Sequence, residues 1–176
     1  MRRLFVLFFC LISLHLHAQE QQLAYQYYRN GEYEKAIDLF QSLHETNPYN
    51  TSYTNYLIDC YQQLEKFEEA NILIHNQLKK LPNQDYLYVE LGYNFQLQKN
   101  EASAKKYYDQ AIDRIRKNPN EVYNISNSFE KKVLLDYALK SYQTAVALVP
   151  TFNFNYQIAL LYGQLGNTEM MISTFL

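Results

Sequence analysis

The chain repeats a pattern every 34 residues, and this period constrains its fold more than any other feature. Four alanines mark the period, at Ala36, Ala70, Ala104 and Ala138. A bulky residue follows each of them four positions later, at Phe40, Ile74, Tyr108 and Tyr142. A fixed period of this length, built from two helical stretches, is typical of helical hairpins that stack on one another.

The first period shows how each repeat is organised. Apolar residues recur three and four positions apart over residues 23–28 and again over residues 33–43, which predicts two amphipathic helices. Gly31 lies between them and suits the left-handed conformation that ends a helix. Pro48 closes the second stretch because proline cannot continue a helix.

Five such repeats account for the chain after its N-terminus. The predicted boundaries are residues 19–50, 51–84, 85–118, 119–151 and 152–176, and the last repeat is incomplete. That repeat arrives one residue early and ends in an apolar helix, whereas a helical array normally ends in a polar capping element. We therefore expect the chain to be the front part of a longer protein.

Within the repeats, a small residue is followed by an aromatic residue three positions later in four first helices: Ala24-Tyr27, Gly92-Phe95, Ser126-Phe129 and Ala159-Tyr162. Together with the alanine of each second helix and the closing prolines, this pattern resembles the tetratricopeptide repeat. Ile58 at a small site, Arg116 at a proline site and the absence of tryptophan depart from it. The resemblance implies an all-α fold, a right-handed α-solenoid of antiparallel helix hairpins that forms a tetratricopeptide-like superhelix.

The N-terminus has the pattern of a secretory signal. Arg2 and Arg3 precede an apolar run over residues 4–14, and polarity rises sharply after Ala18. We expect residues 1–18 to be a cleaved signal peptide, because the apolar run is too short for a comfortable membrane span. The mature chain would then be an exported bacterial protein, periplasmic or associated with the cell envelope, with no membrane span.

Charge and composition restrict the partners. The net charge is −2, and removal of Arg2 and Arg3 with the signal would lower it to −4. Nucleic-acid affinity depends on clustered Lys and Arg, so nucleic acid is not expected as a partner. The sequence instead predicts a protein or peptide partner.

Catalytic and metal-binding motifs are missing from the sequence. It has neither a phosphate-binding glycine loop nor a nucleophile elbow. His44 and His75 fall in different predicted helices without a Cys or carboxylate at metal-ligand spacing. Cys60 is expected to be a small buried hydrophobe. We expect no enzyme activity, no cofactor and no metal.

The resemblance implies that an inner groove, formed mainly by first helices, contacts the partner. The residues predicted to line it combine tyrosines, amides and a few charges: Tyr25, Tyr28, Arg29, Asn55, Asp59, Gln62, Tyr86, Val89, Tyr93, Gln96, Tyr123, Asn127, Glu130 and Lys131. Tyrosine offers rigid contact area and a hydroxyl at a small entropic cost, which suits peptide binding. The alternative is that several of these side chains only pack between helices.

Two functions remain open from the sequence. The first is a non-catalytic protein–protein interaction scaffold of the bacterial cell envelope, which would bind a peptide or partner helix in its concave groove. The second is an N-terminal sensor or docking segment of a longer regulatory or signalling protein. The second requires a signalling or catalytic domain beyond Leu176, whereas the first does not.

Overall fold

A computed structural model describes residues 18–175, and all regular secondary structure in that range is helical. Residues 18–29 form helix α1. The further helices are α2 (Tyr33–Thr46), α3 (Thr51–Gln63), α4 (Phe67–Lys80), α5 (Leu87–Leu97), α6 (Glu101–Lys117), α7 (Val122–Lys131), α8 (Leu135–Leu148), α9 (Asn155–Gln164) and α10 (Thr168–Phe175). A single 3₁₀ turn, Pro119–Glu121, precedes α7. The predicted all-α architecture is confirmed, and each predicted repeat contains one helix pair. The predicted signal peptide lies outside the described residues except for Ala18.

The two helices of every pair are joined by the same backbone turn. Its central residue has a positive φ at Gly31, Glu65, Lys99, Val133 and Gly166. In each turn the next residue's N–H donates to the carbonyl of an aromatic residue five positions earlier, for example Glu32 N to Tyr27 O at 2.9 Å. This is the Schellman arrangement, which satisfies carbonyls that a helix end leaves without partners. The turn therefore recurs with the period of the sequence.

The chain divides into two compact units, one ending at Leu73 and the other beginning at Ile74. In the first unit, α1, α2 and α3 enclose a core centred on Phe40, which is fully buried. The Tyr56 ring stacks on Phe40 with centroids 5.0 Å apart, and Tyr25 meets the same ring edge-on at 5.4 Å. Aromatic packing of this kind contributes beyond the area it buries.

The second unit has its own core, which runs through α5 to α9. The buried residues that form it include Tyr108, Phe129 and Tyr142, each at most 3% exposed. Tyr108 meets Phe129 edge-on at 5.6 Å, so a second helix of one hairpin contacts the first helix of the next. Sharing the core between neighbouring hairpins is what gives a repeat array its stability.

The four marker alanines are all buried. Ala36, Ala70, Ala104 and Ala138 are each at most 1% exposed, as the period predicts. Cys60 is also fully buried, and burial raises the pKa of its thiol to about 12. The thiol is therefore protonated at neutral pH, in agreement with its predicted role as a buried hydrophobe.

Candidate functional site

In the first unit, the predicted groove residues contribute to an aromatic cluster. Tyr25 and Tyr28 are half-buried, and both meet the ring of Tyr56 edge-on, at 5.0 Å and 4.7 Å. The Tyr28 hydroxyl donates to Asp59 Oδ2 at 3.5 Å. These contacts hold α1 and α3 together, so much of the tyrosine surface predicted for a ligand is used for packing.

The other predicted residues of this unit differ in exposure. Asn55 is half-buried and Arg29 is exposed. Gln62 is only 4% exposed, which corrects its prediction as a groove contact.

In the second unit, the predictions on α5 need one correction. Tyr86, Tyr93 and Gln96 are half-buried, but Val89 is fully buried in the core cluster. The prediction that Val89 faces the groove is therefore wrong, although its position matches that of Tyr123 in the next repeat. Its small apolar side chain packs inside the core, whereas Tyr123 is 61% exposed.

Tyr93 lies beside an ion pair with little access to solvent. Lys132 Nζ is 3.1 Å from Glu90 Oε2, and the two side chains are 11% and 12% exposed. The Ser128 hydroxyl donates to Glu90 Oε1 at 3.1 Å, and the Lys132 ammonium lies 4.6 Å from the Tyr93 ring centroid. This cluster joins α5 to the end of α7, and its charges are used within the fold.

A cleft on a predicted groove face lies between α7 and α9. Its volume is about 160 Å³, and its lining is Tyr123, Asn127, Glu130, Tyr142, Gln157, Leu160, Leu161 and Gln164. The first three lie on one side of α7, since positions three and four apart share a helix face. The same spacing places Gln157, Leu160 and Gln164 along α9. Lys131, also predicted for the groove, is exposed and does not line this cleft.

A tyrosine beneath the cleft fixes the position of its carboxylate. Tyr142 on α8 is 2% exposed, and its hydroxyl donates to Glu130 Oε1 at 3.2 Å. Burial, followed by the nearby Glu130 charge, raises the pKa of Tyr142, so the hydroxyl keeps the proton that it donates. Among residues 18–175, Tyr142 is the one side chain that hydrogen-bonds the Glu130 carboxylate.

The preceding repeat carries the same hydrogen bond in uncharged form. Gln96 and Tyr108 lie 34 residues before Glu130 and Tyr142, and Tyr108 donates to Gln96 Oε1 at 2.7 Å. A glutamine therefore satisfies the buried tyrosine as well as a glutamate does. The negative charge of Glu130 is not needed for this packing.

Five residues of the cleft were not predicted as groove residues from the sequence: Tyr142, Gln157, Leu160, Leu161 and Gln164. The fifth repeat arrives one residue early, so extending the groove alignment into it, 33 residues after Asn127, would have found Leu160 but neither glutamine. The predicted groove ends in the fourth repeat, at Lys131.

Other side chains capable of chemistry are scattered. His44 Nδ1 lies 3.3 Å from the Thr54 hydroxyl, whereas His75 is exposed on α4. The described part of the chain holds no group of three or more His, Cys, Asp or Glu side chains that could bind a metal. None of the helices between residues 18 and 175 has the length and apolar character needed to cross a bilayer.

The recurring turns and the buried alanines of the second helices define a helical-hairpin repeat protein. Two sequence models described as tetratricopeptide repeat match the chain, one at residues 21–48 and the other at residues 86–118 and 152–176. The chain belongs to the tetratricopeptide repeat family.

Solved structures share the fold. One is TTC0263, a thermophilic TPR protein of Thermus thermophilus, with a TM-score of 0.51 and 20% identity, covering 90% of this chain and 88% of that one. Another is BtubC from P. vanneervenii, with a TM-score of 0.50 and 14% identity, covering 89% of this chain and 76% of that one. At these identities the likeness concerns the fold alone.

A human protein, Protein IFIT1 homolog B, is 27% identical to the chain over 140 residues. The match covers 74% of this chain but 29% of the human protein. The chain therefore spans less than a third of that relative.

Proposed function

We propose that this protein is a non-catalytic scaffold of the bacterial cell envelope that holds an extended peptide or a partner helix on the face formed by its first helices. The family is one of protein-binding scaffolds, which supports the general part of the proposal. The observation that carries the specific part is the cleft between α7 and α9, where three predicted groove residues meet four further side chains of the next first helix.

The chemistry of the cleft favours a peptide. Asn127, Gln157 and Gln164 each offer both a hydrogen-bond donor and an acceptor, which is what the N–H and C=O groups of an extended backbone require. Tyr123 and Leu160 add exposed contact area beside them, at 61% and 43% exposure. A volume of about 160 Å³ is small beside the roughly 300–1,000 Å³ of small-molecule sites, so the cleft suits one side chain of a longer ligand.

Selection from a displayed library of random peptides tests the binding role. The full chain should recover peptides whose affinity falls several-fold when Tyr123 and Asn127 are both replaced by alanine. Tyr156→Ala is the matched control, because Tyr156 is also 61% exposed on α9 but does not line the cleft. Recovery of no peptide, or equal losses in both variants, would count against the groove.

The proposed location rests on the signal pattern of residues 1–18. If the chain is exported, the mature protein isolated from an envelope fraction should begin at or near Gln19. N-terminal sequencing would show this directly. A mature chain that retains Met1 and remains with the cytoplasmic fraction would refute export.

A further inference from the structure

We propose that the cleft between α7 and α9 selects a basic side chain, arginine in particular, from the bound peptide, and that Glu130 is the residue that recognises it. This inference rests on the proposed peptide-binding function and names the chemistry of the ligand. Among the residues lining the cleft, Glu130 is the one with a formal charge. Its carboxylate forms no ion pair within residues 18–175.

The repeat itself shows that the charge is not structural. At the equivalent position of the preceding repeat, Gln96 accepts the same tyrosine hydrogen bond at 2.7 Å without a charge. By contrast, the carboxylate of Glu90 is paired with Lys132 at 3.1 Å within the fold. Glu130 instead has Oε1 anchored by Tyr142 and lies in a half-buried, open cleft. Anchoring one oxygen orients the carboxylate and lowers the entropy lost on binding a cation.

The other walls of the cleft suit a guanidinium. Tyr123 presents an exposed ring two helical turns before Glu130, and aromatic faces attract guanidinium groups. Leu160 offers apolar area to the methylene stem of a long basic side chain. The planar guanidinium pairs with a carboxylate through two parallel hydrogen bonds, which an ammonium cannot do, so arginine should be preferred over lysine.

The peptides recovered by display provide the probe. We expect them to share a basic residue at one position, mostly arginine. Synthetic copies with citrulline in place of that arginine keep the shape but lose the charge. Binding measured by fluorescence anisotropy should weaken about five- to tenfold on this exchange, the range expected for a half-exposed charged hydrogen bond.

Glu130→Gln tests the residue. The variant should bind the arginine and citrulline peptides with similar affinity, since it reproduces the Gln96 arrangement and should fold normally. Asp136→Asn is the charge-matched control, because Asp136 is exposed in the first turn of α8 and does not line the cleft. This control should keep the full preference for arginine.

The outcomes separate the two proposals. Peptides that bind through Tyr123 and Asn127 but share no basic residue would overturn the role of Glu130 and leave the groove intact. An arginine preference that persists in Glu130→Gln would overturn it as well. Failure to recover any cleft-dependent peptide would overturn both.

Discussion

The aromatic ring of Tyr108 occupies the space that a side chain at Gly92 would need. A Cβ added to Gly92 would overlap the Tyr108 ring and would lie 3.1 Å from the carbonyl oxygen of Ala104. Tyr108 is 3% exposed and donates its hydroxyl to Gln96, so the ring has little freedom to move. Position 92 of α5 therefore requires glycine, because the Tyr108 ring of α6 fills the space that a side chain would need.

Gly92→Ala should lower the free energy of unfolding by about 1–2 kcal/mol. Overpacking outweighs the gain of roughly 1 kcal/mol that alanine brings to a helix interior. Gly163→Ala is the matched control: its Cβ would meet the flexible Met171 side chain, with Sδ at 2.9 Å, which can shift aside. Urea unfolding followed by circular dichroism measures both. Equal stabilisation of the two variants would show that the Tyr108 ring can move away from position 92 at little energetic cost.

Val133→Gly should raise stability by about 0.5–1 kcal/mol. Val133 has φ +58° in the turn between α7 and α8, and a left-handed backbone costs a non-glycine residue about 1–2 kcal/mol. Relief of this strain stabilises the fold, but part of the stabilisation is offset because glycine is more flexible in the unfolded chain. The side chain is 75% exposed, so little packing is given up.

The reverse exchange provides the control for this turn. Gly31 occupies the equivalent position with φ +76°, so Gly31→Val should destabilise the fold by a similar amount. Thermal midpoints of the two variants should move in opposite directions. A fall in the midpoint of Val133→Gly would mean that the valine makes a contact worth more than its backbone strain.

Lys132→Met should be strongly destabilising, by about 3 kcal/mol. It would leave the Glu90 carboxylate, 12% exposed, without the cation 3.1 Å away. Breaking a buried pair from one side costs more than removing both charges. The double variant Glu90→Gln with Lys132→Met should therefore recover most of the loss. Additive losses in a double-mutant cycle would show that the two charges are not coupled.

Stability should decline as the pH rises above about 9. Burial raises the pKa of the Cys60 thiol from its ordinary value near 9 to about 12, so the folded chain keeps a proton that the unfolded chain loses between these values. Protons held more tightly by the native state give a stability that falls with rising pH. Tyr108 and Tyr142, whose pKa values burial also raises, add to the decline above about pH 10.

Cys60→Ala isolates the thiol's share of this effect. The variant loses some packing at every pH, but between about pH 8.5 and 9.5 its stability should change less than that of the parent chain. Urea midpoints at several pH values give the comparison. Parallel curves for the two proteins would show that the thiol does not ionise on unfolding in this range.

Much of the fold was predictable because it depends on local chemistry repeated in register. The buried alanines of the second helices and the turn at Gly31 both follow from the 34-residue period. Three of the five turns carry Glu65, Lys99 or Val133 at the left-handed position. The residue types at these three positions do not indicate a left-handed backbone. Only their alignment with Gly31 and Gly166 in the repeat indicates it.

The site was less predictable because burial depends on the partners across a contact. Val89 and Tyr123 hold equivalent positions, yet one is in the core and the other is exposed. The pairing of Glu90 with Lys132 spans 42 residues and is set by how α5 meets the end of α7. A single sequence contains no signal for such a contact.

The recurring turn also bears on how the chain tolerates change. Its hydrogen bonds run between main-chain atoms, and its central residue ranges from glycine to glutamate, lysine and valine. The backbone of the turn therefore follows the same path whichever of these residues is at its centre. Lys99 is exposed, so a fluorophore attached through the substitution Lys99→Cys should leave the main-chain hydrogen bonds of the turn and the neighbouring helices undisturbed.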